Sequence, residues 1–280
     1  VTAQTSVAPP LLSRRAMATS AGSDDHDSPW KEVLEVYFEA FVAFFFPEAH
    51  GEIDWSRPHD FLDKELQRVT PEAELGRRTV DKLVRVHLRG GDEAWVLVHV
   101  EVQSQRDPSF ADRMYVYNYR LFDRYRRKVA SLAILADDRP RWKPPAFGYT
   151  LLGCEVSLRF PAVKLLDYRK RWAELEASQS PFAVVVMAHL ESLRTRRDVQ
   201  GRMAAKLGLV RELYRKGYSR TDVRQLFRFI DWVMTLPEEL EQQFRTEVRA
   251  LEEEKHMPYV TSIERLGRKE ALEEGLKKGL

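Results

Sequence analysis

One cysteine, Cys154, occurs in 280 residues. That excludes an intramolecular disulfide and any cysteine-rich zinc site. It fits a reducing, cytoplasmic setting. Apolar runs are short, and none approaches the roughly 20 residues needed to span a bilayer. The longest, Val33 to Phe46, is interrupted by Glu35 and Glu39 and reads as a buried helix, so no membrane partner is expected. A glycine-rich phosphate loop is missing as well, since Gly90-Gly91 has the signature of a turn. The histidines other than His99 show no paired metal-ligand spacing. Net charge is only +2, so the chain as a whole is no polycation. A nucleic-acid role would have to come from local clusters of Lys and Arg.

What is present is the composition of a soluble globular protein, 44% hydrophobic and 31% charged, long enough to bury a full core. Residues 1–28 are rich in Ala, Ser, Thr and Pro and then turn acidic at Asp24 to Asp27. They read as an extension with too little apolar content to order itself. Arg14 and Arg15, with few acids before residue 24, also carry a faint look of a transit peptide. Residues 29–165 mix helix and strand signals. Residues 166–258 are dominated by helix signals, with starts at Ser180-Pro181, Asp198, Thr221 and Pro237. Residues 259–280 form a charged helical tail with Leu272, Leu276 and Leu280 four apart. That stripe and the helical region before it offer a route to homo-oligomers, against the plainer reading of a solvated helix.

Spacing predicts helices over Trp30–Phe46 and Asp60–Arg68, and a third from Phe110 to about Arg127. Strands are predicted over Val80–Val86, Trp95–Gln103 and Val129–Ala136, with one or two more between Phe147 and Leu158. This order gives an α/β (α+β) core with a mixed sheet flanked by helices and a helical C-terminal extension.

The chemistry-bearing feature is a pair of carboxylates set in consecutive β-patterned runs, Asp81 and Glu101. His99, Glu101 and Gln103 share one strand face. A hairpin turning near Gly91 pairs positions that sum to 182, which sets Asp81 directly opposite Glu101. Like charges opposite one another repel, and burying either alone costs several kcal/mol. A divalent cation resolves both, because two carboxylates, a backbone carbonyl and waters form an oxygen shell that Mg²⁺ accepts. Gln103 adds an amide that can orient water. The plainer alternative pairs Asp81 with Arg78 or Lys82 and leaves Glu101 at a solvated strand end. His99 is either a water-positioning base or a satisfied core histidine, and Cys154 reads as a core thiol.

Asp81-Lys-Leu-Val-Arg-Val, His99-Val-Glu101-Val-Gln103 and Arg113-Met114-x-x-Tyr117 together resemble the PD-(D/E)XK nuclease superfamily. Within it they resemble the Rpn-type recombination-promoting nucleases, also labelled transposases. The resemblance covers about residues 60–138. It implies a restriction-endonuclease-like sheet, Asp81 and Glu101 as ligands of Mg²⁺ (or Mn²⁺), and DNA as substrate for phosphodiester hydrolysis. Gln103 stands where the superfamily usually has a catalytic Lys. Lys82 should point to the opposite face. A further acid from the first helix is implied, with Glu65 first and Asp63 and Asp60 behind it. Arg113 and Tyr117 would support the site or contact phosphate.

A basic helix with interleaved Tyr115, Tyr117, Tyr119 and Tyr125 follows the acidic strand. A second basic region runs from Arg211 to Arg228. Both suit a phosphate backbone, and both also fit solvated helix faces. The alternative function is a catalytically silent DNA-binding or self-associating module on the same scaffold.

Overall fold

The computed structural model describes residues 29–69, 79–101, 109–144, 146–257 and 259; for residues 79, 80 and 101 it gives the backbone alone. The predicted N-terminal extension, Gln103, Arg78 and the leucine stripe of the tail lie outside the described residues. The chain opens with α1 (Pro29–Val36), α2 (Phe38–Phe45) and α3 (Pro47–Glu52). Strand β1 (Asp60–Phe61), α4 (Asp63–Gln67), β2 (Thr79–His87), β3 (Glu93–Glu101), α5 (Phe110–Tyr125) and β4 (Val129–Leu135) follow. A hairpin of β5 (Ala146–Leu151) and β6 (Cys154–Arg159) leads to β7 (Ala162–Lys164) and a 3₁₀ turn, Leu165–Arg171. The remainder is helical: α6 (Trp172–Ala177), α7 (Pro181–Arg194), α8 (Val199–Arg215), α9 (Arg220–Val233) and α10 (Glu238–Lys255).

The central sheet is mixed, in the order β1-β2-β3-β4-β7. The first three strands are antiparallel, and β4 and β7 run parallel to β3. Helix α5 is the crossover between the parallel neighbours β3 and β4, as a parallel connection requires. Both faces of the sheet are covered, which explains the nearly unbroken apolar run in β3.

On one face, Leu83, Trp95 and Leu97 pack with Tyr117 and Leu121 of α5 and with Leu66. On the other, Val84, Val86, Val96, Val98, Val100, Leu132 and Ile134 join α1, α2 and the C-terminal helices in one cluster. Helix α7 lies at its centre, buried from Phe182 to Leu190. Burying each Val or Phe there stabilises by roughly 2 kcal/mol. The helices after Leu165 therefore share the core of the sheet and are not set apart from it.

Two of the expected helix starts, Ser180 and Asp198, carry side-chain caps, whereas the helix expected at Thr221 is capped by Ser219 and the one after Pro237 has no side-chain cap. The Ser180 hydroxyl accepts from the Phe182 N–H with Pro181 at the first helical position, and Asp198 accepts from the Gly201 N–H at 2.8 Å. Two expected elements differ. The helix over residues 30–46 breaks at Tyr37, whose backbone leaves the helical region (φ −124°, ψ 36°) while its hydroxyl donates to Asp222 at 2.7 Å. The segment after Pro58 begins as β1 and becomes helical only at Asp63, because Asp60 and Phe61 pair with Arg85 and Val84 of β2. Among the described residues no helix is long and apolar enough to cross a membrane.

Candidate functional site

The β2–β3 turn sets the register of the candidate site. Gly91 N–H donates to the Leu88 carbonyl at 2.9 Å, and Leu88 N–H donates to the Asp92 carbonyl at 2.8 Å. Gly91 takes φ +92°, which glycine adopts at no steric cost. The hairpin is thus centred on Gly90, and His87 pairs with Glu93. Asp81 lies opposite His99, and Glu101 lies opposite Thr79.

The expected direct pairing of Asp81 with Glu101 is therefore corrected by two residues. A shift of two preserves the face, whereas a shift of one would not. Asp81 and Glu101 hold diagonal positions on the α5 side of the sheet, a spacing of about 7–8 Å between backbones that side chains can bridge.

Directly across the ladder, His99 Nδ1 meets Asp81 Oδ1. On its other side, His99 Nε2 lies 3.2 Å from Arg113 Nη2. A guanidinium can only donate, so Nε2 must be the accepting nitrogen and the ring proton belongs on Nδ1, facing Asp81. His99 is fully buried, its ring edge-on to Phe110 at 5.1 Å. Arg113 is buried as well, 5.9 Å from the Phe110 ring. Asp81 retains 15% exposure at its side chain.

The three residues form a chain from the surface inward: carboxylate, neutral imidazole, guanidinium. His99 is thus enclosed between Asp81 on one side and Arg113 on the other. Arg113 is buried beside the imidazole. Tyr117 is buried one row along, with Leu83 and Leu97.

The other candidates are dispersed. Lys82 points to the opposite face, as expected. It is buried there, bonded to Glu35 and, at 2.7 Å, to Asp63. Asp63 is thereby committed away from Asp81. Asp60 shares the site face but is held by Arg85 at 2.7 Å. Arg85 lies four residues from Asp81, about 13 Å along the strand. Glu65 sits near that same end; its carbonyl accepts from the Tyr125 hydroxyl at 3.5 Å, and its charge helps raise the pKa of Arg85 after the larger effects of Asp60. None of the three acids is brought to Asp81, because the chain enters this region as a strand.

Sequence reasoning missed a second buried ion pair on this face. Lys164, at the end of β7, pairs with Leu135 of β4, which pairs with Glu101 of β3. Its ammonium meets Asp137, and both side chains are buried. Burial pushes the Lys164 pKa down, against the opposing pull of Asp137. Lys164 and Glu101 stand one strand apart, about 10 Å between backbones. No spacing rule links residues 137 and 164; only the parallel β4–β7 pairing unites them.

The basic clusters are partly neutralised. On α5 and just after it, Arg120 bonds the Val69 carbonyl at 3.0 Å, Arg126 meets Asp123 at 3.1 Å and Arg127 meets Glu93 at 3.8 Å. In the helical region Arg211, Arg215 and Arg228 pair with Glu247, Glu212 and Glu32, and Lys216 bonds backbone carbonyls near the end of α6.

Cys154 is exposed beside the β5–β6 turn and not in the core, because that hairpin projects from the sheet.

Among the described residues no group of three or more His, Cys, Asp or Glu side chains could hold a metal ion. The Glu101 carboxylate and Gln103, two members of the expected set, fall outside them. The one donor that can be assessed is Asp81, whose carboxylate is partly exposed and has one oxygen outside its His99 contact, as a ligand to a hard cation would need. No family model, curated protein or solved structure matches this chain.

Proposed function

We propose that this chain is a metal-dependent DNA endonuclease. The observation that carries the reading is the strand register: Asp81 and Glu101 stand on one face of adjacent strands, at the end where β3 leaves the sheet. Asp81 and Glu101 would hold Mg²⁺, or Mn²⁺, which when bound lowers the pKa of water and offsets charge on the scissile phosphoryl group.

The protein's own residues do the positioning. The Asp81 carboxylate is fixed by the N–H of His99, and the imidazole is fixed in turn by Arg113. An outer partner of this kind orients a ligand and typically changes metal affinity or activity by about 10–100-fold. Gln103 would orient water or a phosphate oxygen through its amide. It carries no charge and cannot exchange a proton, so proton removal from water would fall to solvent or to Glu101.

One observation favours a second reading, a catalytically silent DNA-binding scaffold. Asp81, His99 and Arg113 already form a charge-compensated chain, so Asp81 has a counter-charge without a cation. Calorimetric titration with Mn²⁺ separates the two. A live site predicts binding by the wild type that disappears in both Asp81→Ala and Glu101→Ala. Wild-type protein that binds DNA with no measurable Mn²⁺ affinity would support the silent scaffold.

A further inference from the structure

Among the described residues nine large apolar side chains stand exposed, and five of them occupy one region. Tyr119 and Phe122 lie on α5; Tyr149, Leu151 and Leu152 lie on the β5–β6 hairpin. Ring contacts make the region continuous. Tyr119 stacks on Tyr115 at 6.3 Å and 15°, Tyr115 stacks on Phe147 at 4.6 Å and 16°, and Phe147 meets Tyr149 edge-on at 6.0 Å. Leu151 is the next residue on the same hairpin face.

The inner half of that face is covered, with Leu158 against the cluster of Phe110, Met114 and Phe160. The outer half is open, with Tyr149 51% and Leu151 64% exposed. Apolar surface concentrated in this way marks a binding site.

The hairpin tip adds a second observation. Leu152 and Gly153 form the two-residue turn between the paired Leu151 and Cys154, with φ +50° and +79°. This is a type I′ turn, whose first position favours Asn, Asp or Gly. Leucine there is both strained and 99% exposed, so neither conformation nor burial accounts for it. An apolar side chain held at a loop tip is suited to contact with an unstacked base.

Charge indicates what covers the patch. Residues 109–159 carry ten Arg and Lys against five Asp and Glu, a net +5 in a chain whose total is +2; Arg113 among them is buried, and Arg127 and Lys143 meet Glu93 and Asp167 from outside the segment. Arg126 sits over the Phe122 ring at 5.9 Å. A two-fold contact between copies would set this basic surface against itself, whereas a polyanion complements it.

We propose that the Tyr119–Tyr115–Phe147–Tyr149 ladder and the Leu151–Leu152 tip form a stacking platform for an unpaired nucleic-acid strand. The platform shares α5 with Arg113 of the candidate site. The inference rests on DNA as the substrate and adds the strand form that is bound and where.

Fluorescence anisotropy of a labelled oligo-dT of about 20 nucleotides, with the full chain in EDTA, tests it without any cleavage. Base–aromatic stacking corresponds to at least about fivefold in affinity per base. Tyr119→Ala with Tyr149→Ala should therefore weaken binding roughly 30-fold and leave its salt dependence unchanged. Arg126→Gln with Arg127→Gln should flatten the salt dependence. Tyr149→Phe keeps the ring and should bind within about twofold of wild type, which guards against a misfolded alanine variant.

Unchanged affinity in the double-alanine variant, or no binding by the wild type, would overturn the platform. So would a change of oligomeric state in that variant with affinity intact, which would assign the patch to self-association. Absence of metal-dependent cleavage alongside ring-dependent binding would overturn the nuclease reading and not this one.

Discussion

His99 stands directly across the β2–β3 ladder from Asp81, its Nδ1 on the carboxylate and its Nε2 accepting from Arg113. Three ionisable side chains, two on strands and one on α5, are thereby joined in a line. Removing the inner cation leaves the rest without its counter-charge. Arg113→Ala should destabilise the fold by about 2 kcal/mol, the usual contribution of a hydrogen bond from a charged group. Urea unfolding measures this; a cost under about 0.5 kcal/mol would mean that Arg113 does not serve the chain.

Lys82 is next to Asp81 in sequence but on the other face, between Glu35 and Asp63. Lys82→Met should therefore leave Mn²⁺ affinity and any DNA cleavage within about twofold of wild type while lowering stability, since both carboxylates lose their shared cation. A large loss of cleavage in a folded Lys82→Met protein would place the lysine in the site and contradict the observed face.

Acid should weaken the fold through His189. This side chain is buried, bonded through Nε2 to the Ala136 carbonyl at 2.6 Å, and burial pushes its pKa down to about 4. The unfolded chain takes up that proton near pH 6.5, so between pH 6.5 and 4 the unfolded state binds more protons and stability falls as pH falls. The full effect is roughly 3 kcal/mol. Urea midpoints measured across this window should fall for wild type and fall less for His189→Gln. Parallel curves would show that His189 does not carry the dependence.

Leu152 offers a test in the opposite direction. Leu152→Asn gives the type I′ turn its preferred first residue and should stabilise the protein by about 1 kcal/mol. A gain in thermal midpoint, together with weaker oligo-dT binding, fits a residue kept at the tip for contact and not for stability. A destabilised variant would show that Leu152 packs against the fold.

The periodic elements were legible in the sequence. Helix α5, β4 and the helix starts at Ser180 and Asp198 follow from spacing and capping, because those signals are local. The site was legible only by face. Parity along β2 and β3 placed Asp81 and Glu101 on one side, but the register depended on one turn. A glycine at φ +92° following the turn moved its centre from Gly91 to Gly90.

The third acid was illegible for a different reason. Asp60, Glu65 and Asp63 lie within six residues of one another, yet a short strand pairing with β2 sends them to Arg85, the Tyr125 end and Lys82. The Lys164–Asp137 pair was hidden altogether, since it exists only through a parallel pairing of strands far apart in the chain.

Plasmid cleavage is the most direct test of the nuclease reading. Supercoiled DNA should be nicked by the wild type in Mg²⁺ or Mn²⁺ and left intact in EDTA. Asp81→Ala and Glu101→Ala should each lower the rate at least about 100-fold, with circular dichroism unchanged. Cleavage that persists in both variants, or a pure wild-type protein inert with either metal, would contradict the assignment of Asp81 and Glu101 as the centre of a nuclease site.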